Sequence, residues 1–314
     1  MNEQSKPHLF SRTPVMVAIA TLCCALWGSA PPCIKLGYQL LQIEPNQTMN
    51  IILFAGCRFA LAGFLVILAY SVMQRKPMIP QKASWKPILC LSMAQTFLQY
   101  LLYYVGTANT TGVKASILSG SGAFCSVLVA CLIFRQEKMT ANKLVGCIAG
   151  LLGMVLVTLQ GNINELSGGI SLIGEGCIMI SAISSACSSS LVRIFSQKHN
   201  AVMLSGYQFF IGGLTLIFVA LIGGGTLPNV TPAGLIIILY LSLVSAFAYT
   251  LWSLLLKHHP VSRVSVFNFL IPVFGVTITG ILLKEGGIFS MTTIFSLVLV
   301  CSGILLVNRT NSKA

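Results

Sequence analysis

The sequence predicts an all-α membrane protein: ten transmembrane helices, built as two inverted five-helix repeats around a central cavity. Three observations predict it. Apolar runs near or above about 18 residues, the length that crosses a hydrocarbon core, recur along the whole chain. Basic residues gather on one side of the alternating spans. A polar interruption inside an apolar run is also written twice, about 150 residues apart.

Composition points the same way. The chain has 314 residues, 55% of them hydrophobic and 8% charged, where an ordinary soluble domain carries roughly 25% charged residues. Length alone would suggest two soluble domains, but so few charges cannot cover a water-facing surface.

Apolar runs and the breakers between them place the spans at 14–35, 48–73, 84–106, 111–135, 141–160, 168–195, 201–224, 231–257, 262–283 and 288–308. The first follows a polar stretch with Lys6 and Arg12, as a signal peptide would. Its apolar run continues past the usual length, and "GSAPPC" is a poor cleavage site, so it reads as an uncleaved span. The second holds Arg58 inside "AGCRFALAGFLVILA". The ninth carries Pro272, which is expected to kink it and could serve as a gate hinge. Most connections are short, so successive helices are antiparallel neighbours. The domain plan is a tail at 1–13, a first repeat at 14–160, a second at 161–308 and a tail at 309–314.

Charge tests the count. With the N-terminus in the cytoplasm, alternation puts 15 of the 19 Lys and Arg residues on the inner side, leaves Lys35, Lys114 and Lys284 outside, and buries Arg58 within a span. This is the positive-inside pattern, with both termini cytoplasmic in a cell membrane. Eight or nine helices would scatter it. The formal net charge of +13 therefore reports topology, not nucleic acid, for which there is no basic face or aromatic-interleaved patch.

The repeat sets the inversion. "AGCRFALAG" and "SGYQFFIGG" match at Gly56/Gly206, Phe59/Phe209 and Gly63/Gly213, with Arg58 opposite Gln208. "SMAQTFLQYL" aligns with "SLVSAFAYTL", and "CLIFRQEKMT" closes its helix as "GILLKEGGIF" does. Five helices per half is an odd number, so the second half enters the membrane upside down, as in secondary transporters.

With these features in hand, the chain resembles the EamA family of the drug/metabolite transporter superfamily over essentially its whole length. The resemblance rests on "ALWGSAPPCIK", the Arg of "CRFALAG", "LLYYVGTANT" and "VSVFNFLIPVFGVTITGILLKE". It departs from the family at Phe124, where a proline is expected, and at Ser185, where a tryptophan often sits. The resemblance implies a basket of helices one to four and six to nine around the cavity, with helices five and ten peripheral. It also implies movement of small metabolites, often outward and often amino acids or related compounds.

Arg58 is the foremost candidate. A charge within a span normally faces a cavity or a partner. It stands roughly 15 Å deep at 1.5 Å per residue, and Glu175 about 10 Å deep, so the two could pair. Otherwise Arg58 caps carbonyls and fixes its helix pair. Glu175 is the one acidic group placed within the hydrocarbon, hence the proton carrier if transport is coupled; the other reading is a glutamate stabilised at a helix start. Polar and aromatic faces add Trp27, Gln99, Tyr103, Gln208, Tyr249, Trp252 and Asn268 as a cavity lining suited to zwitterions or small amphipathic solutes. Gln95 shares the Gln99–Tyr103 stripe at four-residue spacing, and Ser245 shares the face of Tyr249 and Trp252. Lys114, outside and against the charge bias, completes the set. Basic Lys35, Arg193 and Arg263 read as helix-end residues.

The eleven cysteines form no C-x-x-C motif and sit by no histidine, so they are small apolar fillers, and neither metal nor cofactor is called for. A membrane enzyme would need clustered acids or histidines, and a channel a ring of repeated polar groups. No Walker motif is present. The expected partners are a small-molecule substrate and the lipid bilayer; proton coupling, a homodimer, and an organic-anion or sugar permease stay open.

Overall fold

The structure, a computed structural model, describes residues 9–44, 46–109, 118–159, 172–283 and 291–309. Among them run ten helical rods: α1 Thr13–Leu40, α2 Thr48–Gln74, α3 at 85–108, α4 Leu118–Ile133, α5 Ala141–Leu159, α6 Gly174–Ser196, α7 Ala201–Ile222, α8 Pro232–His258, α9 at 261–283 and α10 Met291–Arg309. Six are long and apolar enough to cross a membrane, and the others contain shorter apolar stretches. Large apolar side chains such as Phe64, Phe218, Phe247 and Leu305 are exposed, while serines and glutamines are buried. That inside-out distribution is what a lipid solvent selects.

Two rods differ from expectation for physical reasons. α1 runs on to Leu40 although Pro31 and Pro32 lie within it, because uncoiling in hydrocarbon would strand more backbone groups than two prolines do. In α9 a 3₁₀ turn, Val266–Phe269, precedes Leu270–Leu283. Pro272 cannot share space with the carbonyl four residues back, that of Asn268, and the backbone tightens there.

The crossing of α2 and α7 shows how the halves are related. A Cβ on Gly63 would lie 2.2 Å from Phe210 N, and one on Gly213 would lie 2.2 Å from Ala60 N. Adding 150 turns 63 into 213 and 60 into 210, so the two contacts are one contact seen from both sides of a pseudo-two-fold axis. Contacts advance along one helix as they retreat along the other (Gly56 meets Ile217, Gly63 meets Phe210), so these equivalent helices are antiparallel and the halves are inverted.

The same operation governs α5 and α10. A Cβ on Gly153 would be 2.7 Å from the Ser296 carbonyl, and one on Gly303 2.4 Å from the Gly146 carbonyl. Small residues let these backbones touch where lipid offers no hydrophobic drive to associate. Elsewhere α1 packs on α8 and α9 as α6 packs on α3 and α4. Cys23 and Cys24 of α1 donate to the carbonyls of Ala248 and Phe267 at 3.5 and 3.2 Å, a filler's role with a weak hydrogen bond added.

Phe10 and Asn308, near the described ends, lie at one face, where His259 Nε2 meets the Phe10 carbonyl at 2.8 Å and Arg263 donates to the Asn308 carbonyl at 3.3 Å.

Candidate functional site

Arg58 sits ten residues into α2 and is 4% exposed. Its Nη2 donates to Ser245 Oγ of α8 at 3.3 Å, while Nε and Nη1 are buried and find no hydrogen-bond partner within the protein. Its guanidinium carbon stands 4.6 Å from the centroid of the Phe59 ring. Five tyrosines, Tyr38, Tyr100, Tyr103, Tyr104 and Tyr249, lie within its electrostatic reach. Among the described residues no carboxylate forms an ion pair with it. Among the described residues no direct ion pair joins Arg58 to Glu175, which is half-buried in the first turn of α6.

Tyr100 and Tyr104 reach this region because α3 changes pitch. Ser92–Leu98 is π-helical, and i→i+5 bonding adds a residue to the turn. The stripe Gln95–Gln99–Tyr103, regular at four-residue spacing, therefore shifts by one. Tyr100, and after it Tyr104, come toward the core, and the Tyr100 ring lies 4.2 Å from Phe59. Carbonyls displaced by the wider turn are met from α6: Ser184 donates to Ala94 O and Ser181 to Gln99 O, each at 2.7 Å.

On the pseudo-axis Phe59 stacks on Phe209, its own repeat equivalent, with centroids 5.5 Å apart. Tyr249 stands 4.7 Å from Phe209, and its hydroxyl hydrogen-bonds that of Tyr100. Trp27 of α1 packs edge-on against both Tyr249 and Trp252 at 4.9 Å. Polar atoms that are buried here without a partner include Trp27 Nε1, Gln95 Oε1, Thr96 Oγ1, Gln99 Oε1, both amide atoms of Gln208, and Asn268 Oδ1. Leaving one such group unsatisfied typically costs about 1–3 kcal/mol.

A sequence model describing the EamA-like transporter family matches residues 15–159 and again 172–309. The chain belongs to the EamA-like transporter family. It is therefore a multi-pass membrane protein of a transporter family, and the two matches fall one on each half. It is similar to an uncharacterized transporter of Archaeoglobus fulgidus, 27% identical over 84% of this chain and 86% of the relative. It is also similar to the uncharacterized transporter YvbV of Bacillus subtilis, 26% identical over 97% and 93%, and to a chloroplastic WAT1-related protein of Arabidopsis thaliana, 25% identical over 81% and 60%. A solved crystal structure superposes with a TM-score of 0.76 at 14% identity, covering 93% of this chain and 98% of that one. That likeness shows a shared fold.

Within that fold, Trp27, Arg58, Tyr103, Tyr249 and Trp252 join one aromatic and cationic cluster; Gln208 is buried with both amide atoms unpartnered, and half-buried Asn268 has a buried, unpartnered Oδ1. Gln99 gives its carbonyl to Ser181. Pro272 lies just beyond the 3₁₀ turn. Lys114 lies outside the described residues. Arg193 donates to the carbonyls of Leu256 and His259, so it ties helix ends together.

Sequence reasoning missed one ionic cluster at the face of Phe10 and Asn308. Lys143 Nζ pairs with Glu137 at 2.8 Å, and both side chains are under a tenth exposed. The carboxylate also accepts from Ser262 N at 3.2 Å and from Ser262 Oγ. It thus ties the α4–α5 connection of one repeat to the start of α9 in the other. Burial pushes the Glu137 carboxyl up, but hydrogen bonds from Lys143 and Ser262, with the Lys143 charge, outweigh it and hold the group below the usual carboxylate range. The signal was the six-residue spacing of Glu137 and Lys143 across a turn, which reads as ordinary surface charge.

Proposed function

We propose that this EamA-family chain carries small zwitterionic or anionic organic solutes, amino acids and their relatives among them, by alternating access between its two faces, in the outward direction. The observation that supports this best is Arg58: a cation enclosed in α2, with two nitrogens unsatisfied and, among the described residues, no carboxylate paired to it. Such a group is costly in hydrocarbon unless something anionic visits it. Trp27, Tyr103, Tyr249 and Trp252 supply apolar walls with polar edges for the rest of the solute; Gln99, Gln208 and Asn268 supply hydrogen bonds. Lys114 draws anions to one mouth, Pro272 is the hinge of α9, and Glu175 carries the proton where a pH gradient drives flux. The face of Phe10 and Asn308 is assigned to the cytoplasm by its Lys and Arg residues.

The test is a counterflow screen in proteoliposomes with amino acids, organic anions and sugars, with and without a pH gradient. Carboxylate-bearing solutes should exchange, and Arg58→Gln should slow their exchange by about 10-fold or more, the worth of hydrogen bonds to a charged group. Exchange confined to sugars, or an Arg58→Gln variant that moves carboxylates at the wild-type rate, refutes the proposal.

A further inference from the structure

Gln208 of α7 is fully buried, at 0% exposure, and neither amide atom has a partner within the protein. Beside it, α3 buries Gln95 Oε1 and Thr96 Oγ1, also unpartnered. The two helices touch here: a Cβ on Gly212, one turn after Gln208, would lie 2.4 Å from Thr96 Cβ.

The pseudo-two-fold axis gives this cluster its meaning. Adding 150 to Arg58 gives Gln208, and subtracting 150 from Ser245 gives Gln95, so the bonded pair Arg58–Ser245 maps onto Gln208–Gln95. Phe59 and Phe209, next in the chain to Arg58 and Gln208, stack on the axis between the two sites. One site is a guanidinium with free donors. The other is uncharged and holds three buried, unmet oxygens that can accept (Gln95 Oε1, Thr96 Oγ1, Gln208 Oε1), and an ammonium brings three donors and no acceptor.

We infer that Gln95, Thr96 and Gln208 form a second subsite, which takes the ammonium end of a zwitterion whose carboxylate is held at Arg58. The preferred solutes then carry their two charges at opposite ends of a chain, spanning the Phe59–Phe209 stack. This rests on the reading of Arg58 as the anion site.

Calorimetric binding to the purified full chain tests it, with alanine, β-alanine, γ-aminobutyrate, butyrate and butylamine as probes. γ-Aminobutyrate should bind about 10-fold more tightly than butyrate, and more tightly than alanine or butylamine, since hydrogen bonds to a charged group are worth about a decade in affinity. Gln208→Leu and Gln95→Leu should abolish the advantage of γ-aminobutyrate over butyrate. Gln208→Glu, which keeps the shape and adds an anion, should enlarge the advantage and serves if the leucine variants fail to fold. Alanine binding best, or glutamine variants that weaken butyrate and γ-aminobutyrate equally, overturns the second subsite alone. Absence of any Arg58-dependent carboxylate binding overturns the anion site and this inference with it.

Discussion

Replacing Glu137 by glutamine leaves Lys143 buried at the crossing of the two repeats without its anion. Lys143 keeps a 3.0 Å bond to the Lys138 carbonyl, and the new amide oxygen still accepts from Ser262, so the loss should fall at the low end of the range for halving a buried pair, about 3 kcal/mol. Glu137→Gln with Lys143→Met removes both charges and should recover most of that, ending within about 1 kcal/mol of the wild type. The assay is reversible unfolding in mixed detergent micelles, run as a double-mutant cycle. Because the folded carboxyl titrates below its unfolded value, its contribution is complete above the unfolded value. It drains away as pH falls through the lowered folded one. The wild type should therefore lose stability over that acid window, and Glu137→Gln should not. A double variant as unstable as the single, or equal acid sensitivity in both, would refute the idea that a stranded lysine carries the cost.

Gly63→Ala and Gly213→Ala should destabilise by similar amounts, about 1–3 kcal/mol each from overpacking, because each Cβ would meet a backbone nitrogen at 2.2 Å. Gly176→Ala, with nothing within 4 Å, should be neutral or stabilising in the same melts. Ser184→Ala should cost about 1 kcal/mol and loosen the π turn of α3, read as faster amide exchange at Ser92–Leu98. His259 is held below the ordinary histidine range by burial, with Arg263 and Arg193 adding to it and the Phe10 bond opposing. Its contribution should be lost as pH falls from the unfolded value of about 6.5, and His259→Gln should flatten that dependence.

How much of this was legible follows from what each level of the sequence encodes. Ten helices and their inversion were, because apolar length, basic asymmetry and the Gly56/Gly206 and Gly63/Gly213 matches are properties of single residues at fixed spacing. Arg58, Trp27, Tyr249 and Trp252 stood out because polar or amphipathic groups are conspicuous in hydrocarbon. Tyr100 and Tyr104 did not, since a four-residue period points to Gln99 and Tyr103, and the π turn that shifts the register depends on serines of α6, far away in sequence. The Glu137–Ser262 tie was hidden for a related reason: it joins two helix ends whose meeting only the packed halves define.

The two halves diverge where the repeat could afford it and agree where it could not. Gly63 and Gly213 are fixed by backbones in contact on both sides of the axis, so neither copy tolerates change. Positions 58 and 208 face a polar interior, where chemistry is free to differ. A second arginine at 208 would add about 2.5–3.5 kcal/mol of insertion cost and set another buried cation across the Phe59–Phe209 stack. Glutamine avoids that repulsion and supplies acceptors. A solute that is anionic at one end and protonated at the other is then met on both sides of the axis, where two identical copies would have met only one of its ends.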